Sequence, residues 1–272
     1  MRITGKSVMI GVLGAITVLT AGQAIAETSG ASHYATTYTV NESVKTDGKC
    51  AHTPKTPCTQ IKVSYPVFSQ GSQPSGAIDA INASVQRFLL QSASEDQPPA
   101  TIEAAMGRFF QNYQSAIRQF PQQGVWADEK QVQVIHNRPN LLSLQYAHYW
   151  YTGGAHPNSS RTYWNFNPQT GKTIQLSDLL VKGYAPQLNA IAEKHFRRVK
   201  ELTANESLTA AGFWFDHGKF QLNRNFALTP KGLLFFFNTY EIGPYVMGPT
   251  ELLIPYPELK GLVKNQALLP MP

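Results

Sequence analysis

Seven histidines, two cysteines and seventeen carboxylates are the groups from which this chain would build a reactive centre. No standard catalytic pattern gathers them. There is no Gly-x-Ser-x-Gly elbow, no His-Glu-x-x-His helix and no Walker loop. Cys50 and Cys58 bracket a short loop that Pro54 and Pro57 already stiffen. In an oxidising compartment such a pair reads as one disulfide, worth roughly 2.5 kcal/mol in the chain-entropy model, and bridged sulfurs supply no thiolate. A metal clip through Cys50, His52 and Cys58 is the alternative, but it lacks a fourth ligand at zinc spacing. No metal and no cofactor are expected.

The acids Glu95-Asp96 and Asp128-Glu129 are adjacent in polar stretches and read as solvated turns. A glycosidase pair must instead converge across a substrate. His148 shares a strand face with Tyr146 and Trp150, and His195 lies in a helical apolar stripe. Both read as hydrogen-bonded core histidines. His156 differs. It follows Gly153-Gly154 and precedes Pro157, on a loop whose backbone is tightly specified. Either it ties the turn together or it meets a ligand; with His148 it would give a metal only two ligands, too few to define a site. Downstream, Tyr240-Glu241-Ile242-Gly243-Pro244-Tyr245 sets one acid among aromatic and apolar neighbours, where its carboxylate must be hydrogen-bonded or paired. The candidate binding residues are therefore Gly153, Gly154, His156, Pro157, Tyr240, Glu241 and Tyr245.

These groups need elements to hold them. Alternation from Tyr34 to Val44 and over Ile61 to Tyr65 predicts strands, the second stopped by Pro66. Ile78, Ile81, Val85, Phe88 and Leu89 recur at helical spacing behind Pro74-Ser75. After Pro98-Pro99 the set Ile102, Met106, Phe109, Phe110, Tyr113, Ile117 and Phe120 repeats it, until Pro121. Val132, Val134 and His136 predict one strand face, Leu142 to Trp150 the next, and Thr162, Trp164 and Phe166 the return. Ser177 to Leu180 starts a short helix, and Leu188, Ile191, Ala192, Phe196 and Val199 mark a longer one. Asn225 to Thr229 and Leu233 to Tyr240 predict a hairpin. Its second strand, apolar at every position over Leu233 to Phe237, belongs in a sheet centre; Leu252 to Ile254 is the last strand. Hairpins and clustered helices, without βαβ alternation, predict an α+β fold of antiparallel sheets with packed amphipathic helices in a two-part architecture. The division is drawn at a signal peptide over 1–26, a smaller α+β domain over 27–123 and a C-terminal α+β domain over 124–272.

The first 26 residues carry Arg2 and Lys6 ahead of an uncharged run from Ser7 to Gly22, and end on Ala24-Ile25-Ala26. That pattern predicts a signal peptide cleaved before Glu27; the competing reading is an uncleaved anchor. Without Arg2 and Lys6 the net charge falls from +6 to +4, a mild excess spread along the chain. It supports no nucleic-acid groove, and with the leader cleaved no membrane span is expected. The expected location is periplasmic or secreted, and the 42% hydrophobic content is enough for a real core.

Tyr149 to Pro157, with Asn165-Phe166-Asn167 and Thr170-Gly171-Lys172, resembles the domain family of unknown function found outside the membrane in lysozyme-sensing anti-sigma-V factors. The same module precedes the catalytic domain of some peptidoglycan deacetylases. Tyr240 to Tyr245 and Ile254-Pro255-Tyr256 resemble that family's end, while Val63 to Phe68 and the helix from Ile78 resemble a smaller domain that usually precedes it. No sigma-binding region and no deacetylase domain is recognised along the chain, so the resemblance implies the binding module alone. The expected function is a non-catalytic exported envelope protein that binds a lysozyme-like protein or cell-wall glycan. The alternative is an enzyme of cell-wall carbohydrate, or an accessory domain of one, using His156 and Glu241.

Overall fold

The computed structural model describes residues 36–48, 50, 57–69, 74–90, 98–121 and 124–270. The leader, Glu95-Asp96 and His52 lie outside the described residues. Five strands form the larger sheet, in the order β1 (Tyr38–Gly48), β2 (Cys58–Phe68), β3 (Val125–Arg138), β4 (Leu141–Tyr151) and β5 (Asn158–Phe166). All neighbours pair antiparallel except β2 and β3, which run parallel from Cys58 opposite Val125 to Ser64 opposite Gln131. A parallel pair needs a crossover, and α1 (Ser75–Leu90) and α2 (Ile102–Gln119) provide it. The sheet therefore draws strands from both sides of residue 124. Cys50 and Cys58 form the predicted disulfide, with Cα atoms 5.1 Å apart, at the mouth of the β1–β2 hairpin.

The helices lay their apolar stripes on one face of this sheet. Ile78, Ile81, Val85 and Leu89 of α1 and Ile102, Met106 and Phe110 of α2 join Ile61, Val63, Val132, Leu144, Trp164 and Phe166 in one core. Thr101 caps α2 by accepting from the Ala104 N–H. Three expectations need correction. Phe120 is exposed, because it follows the last turn of α2. Val199, at the final position of its helix, is exposed for the same reason. Pro66 does not stop β2, which runs on to Phe68. The proline sits past Ser64, where β3 no longer pairs, so its missing N–H deprives no ladder on that side.

The second core is built by α3 (Leu176–Leu179), α4 (Ala185–Val199) and an antiparallel sheet of β6 (Phe226–Thr229), β7 (Gly232–Phe237) and β8 (Thr250–Pro255). β7 is central, as its unbroken apolar run predicts. Leu233, Phe235 and Phe237 face α4, while Leu234 and Phe236 pack with Tyr163, Ala227 and Ile135 against the larger sheet. The result is the predicted α+β fold in two sheet-based parts.

Asparagine amides finish the strand edges. The side chain of Asn82 accepts from the Phe68 N–H at 2.9 Å and donates to its carbonyl at 2.8 Å. Asn137 does the same to Thr36, and Asn238 to Arg161 on the free edge of β5. A primary amide offers the same donor and acceptor as a peptide unit, so each one stands in for a neighbouring strand.

Candidate functional site

The β4–β5 connection carries the Gly-Gly-Ala-His-Pro loop. Gly153 adopts φ +84°, the left-handed region that favours glycine. Gly154 does not, and a Cβ there would meet nothing within 4 Å. The steric requirement expected at Gly154 is therefore met one residue earlier, where the strand actually turns. Tyr151 Oη donates to the Gly154 carbonyl at 2.9 Å and holds the loop to its own strand.

His156 is the meeting point of the loop and the segment after β7. Its Nδ1 lies 2.9 Å from the Pro157 carbonyl, which can only accept, so in the neutral ring Nδ1 carries the proton. That leaves Nε2 to accept from Tyr240 Oη at 3.3 Å. The ring also stacks on Tyr245, with centroids 3.8 Å apart and planes 22° apart, and Tyr245 Oη donates to the Pro157 carbonyl. Four predicted residues, His156, Pro157, Tyr240 and Tyr245, are thus brought together. Tyr240 and Tyr245 remain 50% and 39% exposed, and their rings lie 5.6 Å apart. Tyr240 has φ +68°, an outlying conformation for a bulky residue. Glu241 clamps that turn: its carboxylate accepts from Asn223 Nδ2 and from the Asn238 N–H, each at 2.7 Å. Both oxygens thus accept a hydrogen bond from the turn, one each, although the residue is exposed.

Both acids of the Asp128-Glu129 pair, read from sequence as a solvated turn, lie in β3, Glu129 exposed and opposite Tyr149. Asp128 is opposite Trp150, and its Oδ1 lies 2.8 Å from His148 Nε2. Lys130 Nζ, 3.9 Å from Asp128, also donates to the Leu89 carbonyl at the end of α1. His148 is stacked between Tyr146 and Trp150, as the shared strand face predicts. Burial, and then the Asp128 charge, push the Tyr146 phenol well above its ordinary range. His195 is buried and bonded to Glu258 at 2.8 Å. Among the described residues no group of three or more His, Cys, Asp or Glu side chains could hold a metal ion.

A groove of about 510 Å³ adjoins the clamped turn, lined among others by Phe88, Trp164, Gln175, Asn223, Arg224 and Glu241. Of its polar residues only Glu241 is among the candidate binding residues read from the sequence. The alternation of Asn223 and Asn225 just before β6, which puts both amides on one side, is the signal that points to it.

Two stretches of the chain match known families. Residues 177–257 match the family described as Protein of unknown function (DUF3298). Residues 53–159 match the one described as Deacetylase PdaC. Tyr240, Glu241 and Tyr245 fall in the DUF3298 stretch and the Gly-Gly-Ala-His-Pro loop in the other, so the histidine–tyrosine cluster ties the two stretches together. A curated relative, the peptidoglycan-N-acetylmuramic acid deacetylase PdaC of Bacillus subtilis, is 20% identical over 206 residues. That match covers 75% of this chain, which spans only 39% of the relative's length. Two solved DUF3298 structures share the fold. The one from Bacteroides fragilis has a TM-score of 0.70 at 20% identity, over 86% of this chain and 95% of its own. The one from Pseudomonas aeruginosa has a TM-score of 0.63 at 24% identity, over 86% and 96%.

Proposed function

We propose that the protein is a non-catalytic, exported module of the cell envelope that binds cell-wall glycan through the His156, Tyr240 and Tyr245 cluster. The observation that carries this reading is the convergence of two exposed tyrosines on a histidine whose ring is already stacked and hydrogen-bonded. Aromatic faces held rigid at a surface suit the apolar faces of sugar rings and lose little entropy on binding. The deacetylase relative acts, by its name, on peptidoglycan, which supports a ligand drawn from the cell wall. The Cys50–Cys58 disulfide and the predicted leader suit an extracytoplasmic location. Among the described residues no helix is long and apolar enough to cross a membrane.

Purified protein incubated with peptidoglycan sacculi, and separately with lysozyme, tests this reading. Retention on sacculi is expected, weakened about fivefold by Tyr245→Ala, the worth of one stacking contact. His156→Ala should lose binding while unfolding within about 1.5 kcal/mol of the parent. Lost stability with unchanged binding would return His156 to a structural role. Capture of lysozyme with no retention on sacculi would replace the glycan by a protein partner. Turnover of labelled glycan that His156→Ala abolishes would replace binding by catalysis.

A further inference from the structure

The groove beside the clamped turn holds a charged group that, among the described residues, nothing in the fold employs. Asn225 spends its amide on the Arg161 and Phe236 carbonyls and the Tyr163 N–H. Asn165 bonds the backbone of Phe226 and Leu228, and Glu241 is clamped as described. Arg224 stands apart: it is exposed in the same lining, and among the described residues its guanidinium has no hydrogen bond, ion pair or ring partner. Beside it runs an apolar wall, where the Phe88 ring stacks on Trp164 at 4.0 Å. Thr162, Thr173 and Gln175 add hydroxyl and amide groups.

We infer that this groove binds a saccharide ring bearing a carboxylate. A pocket of this size with one apolar wall and a few fixed polar groups takes a small amphipathic ring. Thr162, Thr173 and Gln175 meet its hydroxyl or amide substituents. The planar guanidinium matches a carboxylate through two parallel N–H···O bonds, a geometry that neither the amides nor the hydroxyls offer. Arg224 is the one cation of this lining and Glu241 its one acid, so an acidic substituent is drawn to the guanidinium and repelled by the carboxylate. The inference rests on the glycan reading and names the sugar class within it.

N-acetylmuramic acid and N-acetylglucosamine differ by a carboxylate-bearing lactyl ether and are the probes. Titrated into the labelled full chain and followed by NMR, N-acetylmuramic acid should move the Arg224 Nε–H signal and the side-chain amides of Asn223 and Gln175. N-acetylglucosamine should bind about tenfold more weakly, the difference one charge-assisted contact makes. Arg224→Gln should bring the two sugars to parity, and Arg224→Lys should restore part of the preference. Arg224 is exposed, so both variants should keep the parent circular dichroism. Equal binding of the two sugars by the parent protein, or shifts confined to residues outside the groove, would overturn the assignment. Retention on glycan strands stripped of their stem peptides, where the lactyl carboxylates are free, would do so too if Arg224→Gln left it unchanged, while leaving glycan binding standing. No retention of the parent protein on sacculi would overturn the glycan reading itself.

Discussion

Gly153 and Gly154 are neighbours under different constraints, and substitution separates them. Gly153→Ala forces a side chain into φ +84° and should cost about 1–2 kcal/mol, whereas Gly154→Ala should stay within about 0.5 kcal/mol. Thermal melting of the two variants checks this. Tyr240 poses the reverse case. Its left-handed backbone is strained, so Tyr240→Gly should hold or raise stability by up to about 1 kcal/mol while weakening retention on sacculi. A variant that loses stability and keeps binding would contradict that trade. His156, Tyr240, Glu241 and Tyr245 were each legible in the sequence because each departs from what its immediate neighbours predict. The contact between residues 84 positions apart was not, since nothing local encodes where a loop lands. Asp128 was misread because its partner sits on the adjacent strand, and Arg224 left no signature, because an exposed arginine in a loop looks like any other.

At the scale of elements, the amphipathic helices and the all-apolar β7 were legible because periodicity reports burial directly. The parallel pairing of β2 with β3 was not. Side-chain alternation fixes which face of a strand is buried and says nothing about its neighbour or direction. Asn165 marks another limit. An amide within a strand is disfavoured, and Asn165, the last residue but one of β5, is buried. It accepts from the Ser143 hydroxyl and the Leu228 N–H and donates to the Phe226 carbonyl, stitching β5 to β6. Asn165→Ala strands two backbone groups in the interior and should cost about 2–4 kcal/mol by urea denaturation. An effect below about 1 kcal/mol would mean that water reaches the seam.

Across the whole molecule, stability should depend on pH through His136. The side chain is buried beside the bulge of β3, and among the described residues its Nε2 has no partner. Burial, and then the Arg138 charge, hold its pKa below the ordinary value of 6.5. The unfolded chain therefore takes up a proton on acidification through 6.5 while the folded chain does not, so the stabilising contribution is complete above that value. It falls as pH drops towards the folded pKa. Urea midpoints at about pH 7.5 and 5.5 should differ more for the parent than for His136→Leu. An equal drop in both would clear this histidine of the effect. The parallel seam carries a temporal consequence as well. β3 and β4 are joined by a tight turn at Pro139-Asn140, and β1 and β2 by a loop that the disulfide closes. Both hairpins can form within microseconds from local chain alone. Docking one against the other must wait until the helices between Phe68 and Val125 have condensed, because closing so long a connection loses entropy before any contact returns it. The expected slow step in folding is then the meeting of two finished hairpins, and reducing the disulfide, which lies wholly within one of them, should lower stability with little change in the folding rate.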